Sequence, residues 1–166
     1  MNNLDTLFLD RDGVINKKLE GRYVSNFSEF KFMKGAIDAI AKLTIAFNRI
    51  IIITNQQGIG KEIMSNTDLH TLHAKMERSI EVFGGKIDKI YYCPHLENVD
   101  CKCRKPKTGM IQHALLDFPK IVIEKSYLVG DSESDIEAGK KMGLKTIKVD
   151  NEFTLSKWTD KLISSI

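Results

Sequence analysis

Two aspartates one residue apart, in Asp10-Arg11-Asp12-Gly13, follow directly on a run of apolar residues. Side chains alternate along an extended segment, so both carboxylates can point one way while Arg11 points elsewhere. Like charges that close repel unless a cation or a shared proton relieves them. With Mg²⁺ neutralising the pair, one Asp can serve as nucleophile while the other handles protons. The same residues would also suit a solvated loop with two acidic caps. A second apolar run ends in Thr54-Asn55-Gln56-Gln57-Gly58-Ile59-Gly60-Lys61. A hydroxyl, amides, two glycines and a lysine can close donors around an oxyanion without bulk, although a polar strand-to-helix turn reads the same way. A third run ends in Gly130-Asp131-Ser132-Glu133-Ser134-Asp135. Asp131 at the strand tip suits a metal ligand. Asp135 falls in the first turn of the next helix, either supporting the ligands from behind or favouring the helix dipole.

Cys93, His95, Cys101 and Cys103 bring all three thiols of the chain and one imidazole within eleven residues. Cys₃His is a tetrahedral zinc set, and soft thiolates favour Zn²⁺ over Mg²⁺. With four protein ligands no position stays open for water, so zinc here would be structural. It would staple a loop that leads straight into Arg104-Lys105-Pro106-Lys107. The other reading is three unrelated buried thiols. His70, His73 and His113 stand among polar helix neighbours and read as surface or satisfied positions.

These residues need elements to hold them. A chain of 166 residues is one domain, 1–166, long enough for a core. With 42% apolar and 28% charged residues it is ordinary for a globular protein and wrong for a disordered one. A net charge of +3 points to no nucleic-acid or membrane partner. The longest purely apolar run, 50–53, is far too short to span a bilayer. The start, MNNLDTLFLD, has no basic segment followed by a long apolar one, so a cytoplasmic protein is expected. Apolar, often β-branched runs at 6–9, 49–54, 86–92, 126–130 and 145–149 read as strands covered on both faces. Helical patterns at 35–47, 67–83 (opened by an Asn66/Thr67 cap), 135–142 and 156–163 lie between or after them. Alternation of this kind implies an α/β fold with a doubly wound parallel sheet and functional loops at the strands' carboxyl ends.

The segments DRDGVIN, TNQQGIGK, CRKPK and GDSESD, in this order and across essentially the whole chain, resemble the four motifs of the haloacid dehalogenase-like phosphatases. The resemblance implies that family's Rossmannoid sheet, with no separate cap domain and with a zinc-bound loop. It implies Asp10 as nucleophile forming an aspartyl-phosphate, Asp12 as acid/base, and Thr54 and Lys105 as holders of the phosphoryl group. Asp10, the backbone carbonyl of Asp12, and Asp131 would bind Mg²⁺. The zinc loop resembles the branch of D-glycero-D-manno-heptose 1,7-bisphosphate 7-phosphatases and histidinol-phosphate phosphatases. Gly21-Arg22-Tyr23-Val24 followed by Phe30-Lys31-Phe32 is similar to the heptose type, whose Gly-Tyr-Val loop lies beside the substrate. The compact loop from Cys93 to Cys103 is closer to the histidinol-phosphate type. The branch thus implies a monomeric Mg²⁺- and Zn²⁺-binding phosphomonoesterase for a small sugar bisphosphate, read by Tyr23, Asn55, Gln56, Gln57, Lys61 and Arg104. Histidinol phosphate is the alternative substrate; a nucleic-acid 3′-phosphatase and an inactive zinc-stabilised binding module stand further off.

Overall fold

The computed structural model describes residues 4–166. Five strands, β1 (Leu4–Leu9), β2 (Phe47–Asn55), β3 (Lys89–Cys93), β4 (Tyr127–Gly130) and β5 (Lys145–Lys148), form one sheet in the order β3-β2-β1-β4-β5. Every pairing is parallel. Helices α1 (Ala36–Ala46), α2 (Asn66–Val82), α3 (Gly109–Asp117), α4 (Glu133–Lys141) and α5 (Leu155–Ser165) supply the crossovers and the terminal cover.

The continuous apolarity of the central strands has the expected cause. Leu7, Leu9, Ile50, Ile52 and Val129 face a core that includes Ile40 and Leu43 of α1, Leu72 and Met76 of α2, and Trp158 of α5. Their neighbours Phe8, Ile51, Ile53 and Leu128 face the opposite core, with Met110, Ile111 and Ala114 of α3 and Ala138 of α4. Period-two alternation therefore sends apolar side chains to both faces, and the sheet is doubly wound.

Several boundaries move. Phe47 leaves the expected first helix and opens β2, where it pairs with Leu4. The cap of α2 is Ser65 rather than Asn66 or Thr67: the Asp68 amide donates to Ser65 Oγ at 3.0 Å and the Ser65 amide to Asp68 Oδ2 at 2.9 Å. Helix α3 has no counterpart among the sequence-based helices. It starts on a glycine, and the hydroxyl of its cap residue Thr108 accepts from the Gln112 side chain and not from a first-turn amide, so both usual start signals are weak.

From β1 in the middle of the sheet the chain winds outward through β2 and β3, then crosses to β4. The winding reverses between β1 and β4, where an open α/β sheet forms its crevice. Asp10 and Asp131, which follow β1 and β4, are brought together there: the Asp10 amide donates to the Val129 carbonyl at 3.0 Å.

Candidate active site

Asp10, Lys105, Asp131 and Asp135 form the centre. The buried ammonium of Lys105 lies 2.9 Å from Asp10 Oδ1 and 2.6 Å from Asp135 Oδ1, and donates to the Ile53 carbonyl at 2.8 Å. Asn55 clips the Lys105 backbone from both sides, its Oδ1 accepting from the amide at 3.0 Å and its Nδ2 donating to the carbonyl at 3.2 Å. Asp135 is the N3 residue of a capping box with Ser132, so its carboxylate is anchored to the start of α4.

One carboxylate oxygen each from Asp10, Asp131 and Asp135 lies within 4.8 Å of the others. Asp131 Oδ1 is buried and, among the described residues, has no hydrogen-bond partner. Burial drives the Asp10 carboxyl well above its usual range; Lys105 opposes this, while Asp135 and Asp131 add like-charge repulsion. Buried Lys105 and exposed Lys18, the latter on Asp131 Oδ2, supply two positive charges for three clustered carboxylates, and Asp131 Oδ1 keeps no partner among the described residues. That donor set fits a hard divalent cation such as Mg²⁺. Gly13 makes the close approach possible. Its φ is +85°, and a Cβ there would lie 2.1 Å from Asp131 Oδ2.

Asp12 is held on both oxygens. Oδ1 accepts from Arg11 Nη2 and Asn16 Nδ2, each at 2.9 Å, and Oδ2 accepts from Gln56 Nε2 at 2.9 Å. Burial pushes this carboxyl up, but the Arg11 guanidinium and the three hydrogen bonds outweigh it and keep Asp12 below the usual range. The same Gln56 Nε2 donates to Thr54 Oγ1 at 2.9 Å, leaving the fully buried threonine hydroxyl free to donate its own proton. Arg11 is buried too. Its Nη1 donates to His73 Nε2 at 3.1 Å, so the proton of that imidazole sits on Nδ1.

Beside these groups lies a cavity of about 330 Å³, walled by Asp10, Asp12, Asn55, Gln56 and Gln57 with Tyr23, Arg104 and Lys105; Thr54 stands behind Gln56 and not in the wall. The size suits a small ligand. Arg104 has a buried Nη1 without a partner among the described residues. Lys61 lies outside that wall, exposed, with its ammonium 5.2 Å over the Tyr23 ring. Lys18, Arg22 and Ser134, which motif reading did not single out, also line the cavity; Lys18 Nζ lies 3.3 Å from Asp131 Oδ2. Lys18 and Arg22 sit on the loop around Tyr23, whose basic composition was the available signal. Nothing in the sequence joins Arg11 to His73, 62 residues away.

The cysteine cluster assembles as a unit. His95 Nδ1 lies 3.4 Å from Cys93 Sγ and 3.2 Å from Cys103 Sγ; Cys93 Sγ lies 3.8 Å from Cys101 Sγ and 2.9 Å from Cys103 Sγ. A zinc tetrahedron with Zn–S bonds of about 2.3 Å has sulfur–sulfur edges of about 3.8 Å and slightly shorter sulfur–nitrogen edges. Three of the four distances lie within half an ångström of those values and the Cys93–Cys103 pair is tighter, so the donor set fits zinc. The loop stands on the end of β3, beside Asn55, which pairs with Cys93.

Residues 6–158 match the family described as polynucleotide kinase 3 phosphatase. A D-glycero-alpha-D-manno-heptose-1,7-bisphosphate 7-phosphatase of Mycobacterium bovis is 40% identical over 131 residues, which are 79% of this chain and 69% of the relative. A D-glycero-beta-D-manno-heptose-1,7-bisphosphate 7-phosphatase of Neisseria meningitidis is 40% identical over 137 residues, 82% of this chain and 72% of the relative. A crystal structure of a D,D-heptose 1,7-bisphosphate phosphatase from B. bronchiseptica, complexed with magnesium and phosphate, aligns with a TM-score of 0.89 at 28% identity. It covers 98% of this chain and 100% of that one.

Proposed function

The chain belongs to the haloacid dehalogenase-like phosphatases, in the branch of the heptose 1,7-bisphosphate 7-phosphatases, and from that membership we propose that it removes the 7-phosphate of D-glycero-D-manno-heptose 1,7-bisphosphate. The observation that carries the reading is the convergence of Asp10, Asp12, Lys105 and Asp131 on one small cavity, with Thr54 buried beside it and tied to Asp12 through Gln56, in a chain 40% identical to two such enzymes over most of its length. We take the enzyme to act as a monomer in the cytoplasm.

In the proposed chemistry a carboxylate oxygen of Asp10 attacks phosphorus, and the bond from phosphorus to the sugar oxygen breaks. Asp12 gives its proton to that oxygen as it leaves. Water then attacks the phosphoryl group on Asp10, Asp12 takes the water's proton, and the bond to Asp10 breaks to free inorganic phosphate. Asp12 is ionised at rest, which suits the second half. A phosphate dianion arriving beside it raises its proton affinity, so Asp12 takes up a proton from solvent as substrate binds and returns it to solvent once phosphate has left. The Lys105 ammonium and the Thr54 hydroxyl hold phosphoryl oxygens as charge builds on them. Mg²⁺ bound by Asp10, Asp131 and the Asp12 carbonyl would supply the charge that lets an anionic nucleophile meet an anionic phosphate. Asp135, which lines the cavity beside Asp10 and Asp131, fixes the Lys105 ammonium from 2.6 Å away. Zinc on Cys93, His95, Cys101 and Cys103 would fix the loop that delivers Arg104 and Lys105.

Phosphate release measured side by side on both anomers of the heptose bisphosphate, on histidinol phosphate and on a 3′-phosphorylated oligonucleotide, with Mg²⁺ present, tests the substrate. The heptose bisphosphate should lead in kcat/KM. A lead for histidinol phosphate or for the oligonucleotide would overturn the assignment.

A further inference from the structure

We infer that Gln57 is a positioning residue, coupling the zinc-binding loop to Tyr23 on the substrate side of the cavity; the inference rests on the phosphatase reading above. Each end of its amide is engaged in a different segment. Nε2 donates to Tyr23 Oη at 2.6 Å, and Oε1 accepts from the Glu97 amide at 3.3 Å, two residues beyond His95. Neighbours in the same loop close the contact on both sides. A Cβ on Gly58 would lie 3.4 Å from Tyr23 Cβ and Cγ, and the Lys61 ammonium lies 5.2 Å above the Tyr23 ring. On the far side, a Cβ on Gly60 would lie 2.7 Å from the Pro94 carbonyl and 3.1 Å from the Leu96 amide. The turn after β2 is thus wedged between Tyr23 and the residues linking His95 to Glu97.

Tyr23 lies in the stretch between β1 and α1, outside the regular helices and strands; its neighbour Val24 is buried in the core, while the Tyr23 side chain itself is only half-buried. A side chain on such a segment costs conformational entropy to hold in place, and a ligand recruits it more tightly when the protein holds it beforehand. Gln57 provides that hold from the loop of Cys93, His95, Cys101 and Cys103, which a zinc ion would close. It belongs to substrate binding through Tyr23, not by contact with the phosphate or the sugar.

The test uses the zinc- and magnesium-loaded protein and steady-state kinetics on the heptose bisphosphate. Gln57→Leu should raise KM about tenfold while kcat changes less than twofold. Tyr23→Phe added to Gln57→Leu should raise KM little further. Glu97→Pro, which deletes the amide donor, should imitate Gln57→Leu, with zinc content checked to be intact. Gln57→Glu is the decisive variant. A carboxylate can accept from both the Tyr23 hydroxyl and the Glu97 amide, so this variant should lie closer to wild type than Gln57→Leu does. If Gln57 instead donated to substrate oxygens, the added negative charge would make Gln57→Glu the worse of the two. That result overturns the inference, as does an unchanged KM in Gln57→Leu. Where Gln57→Leu melts far below wild type, the ranking of Gln57→Glu against Tyr23→Phe carries the same decision. A wild type that ignores the heptose bisphosphate refutes the substrate assignment instead, and the series is then run on whichever phosphate monoester the wild type prefers.

Discussion

Replacing Lys105 by methionine keeps the length of the side chain and removes the one buried cation between Asp10 and Asp135. The ammonium makes contacts of 2.9, 2.6 and 2.8 Å to Asp10, Asp135 and the Ile53 carbonyl, and its loss leaves two buried carboxylates facing each other. Deleting one partner of a buried ion pair costs about 3–5 kcal/mol. For a chain of this size that corresponds to a fall in Tm of roughly 6–20 °C in the presence of a chelator. Saturating Mg²⁺ at about a hundred times its Kd adds about 2.7 kcal/mol to any protein that binds it only when folded. The variant, short of one positive charge, should gain more than wild type from the same addition. Asp135→Asn on the Lys105→Met background should restore part of the Tm, because it relieves the like-charge contact. Activity should not return in either case: losing a preorganised cation at the phosphoryl oxygens lowers kcat by at least about 10²–10³. Thermal unfolding with and without Mg²⁺, paired with phosphate release, reads all of this. A Lys105→Met protein that melts within about 2 °C of wild type in chelator, or keeps kcat within tenfold, would refute the reasoning.

Other consequences are smaller but equally definite. His73 is held neutral, its pKa pushed down to about 3, first by burial and then by Arg11. An unfolded histidine titrates near 6.5, so between these values only the unfolded chain takes up a proton. Stability is therefore lost as pH falls below about 6.5, at roughly 1.4 kcal/mol per unit for this group. Denaturant titrations at pH 7 and pH 5 should show wild type losing about 2 kcal/mol more than His73→Gln, which can still accept from Arg11. Equal losses would remove His73 from the acid sensitivity. Gly13→Ala places a methyl group 2.1 Å from Asp131 Oδ2 on backbone with φ +85°. It should weaken Mg²⁺ activation far more than it lowers Tm, and an unchanged half-saturating Mg²⁺ concentration would contradict the geometry. Metal analysis should find one zinc per chain, lost in Cys103→Ser with a lower Tm; stoichiometric zinc persisting in Cys103→Ser would dissolve the proposed ligand set.

How much of this was legible in the sequence depends on how far apart the interacting residues lie. Asp10, Thr54 and Asp131 could be found because each ends an apolar run, and parallel strands deliver their ends to one edge whatever lies between. The cysteine cluster was legible for the opposite reason, being local: eleven residues of chain contain it. Asn55 and Gln57 read as donors for a ligand, yet their amides are engaged with the Lys105 backbone, Tyr23 and Glu97. Residue type alone cannot say which of several nearby acceptors a side-chain amide will meet. The Arg11–His73 contact was invisible because α2 carries its histidine under the β1 loop only after the sheet has formed. Helix α3 was missed because its start lacks a capping side chain, although Met110, Ile111 and Ala114 hold the spacing that buries it.

The covalent step tests the account most directly. Wild-type protein mixed with Mg²⁺ and the heptose bisphosphate, quenched in acid within one turnover and mapped by peptide mass spectrometry, should carry a phosphoryl group on Asp10. Asp10→Asn should carry none and release no phosphate. A phosphoryl group on another residue, or phosphate release by Asp10→Asn at more than a trace of the wild-type rate, would contradict the role assigned to the end of β1.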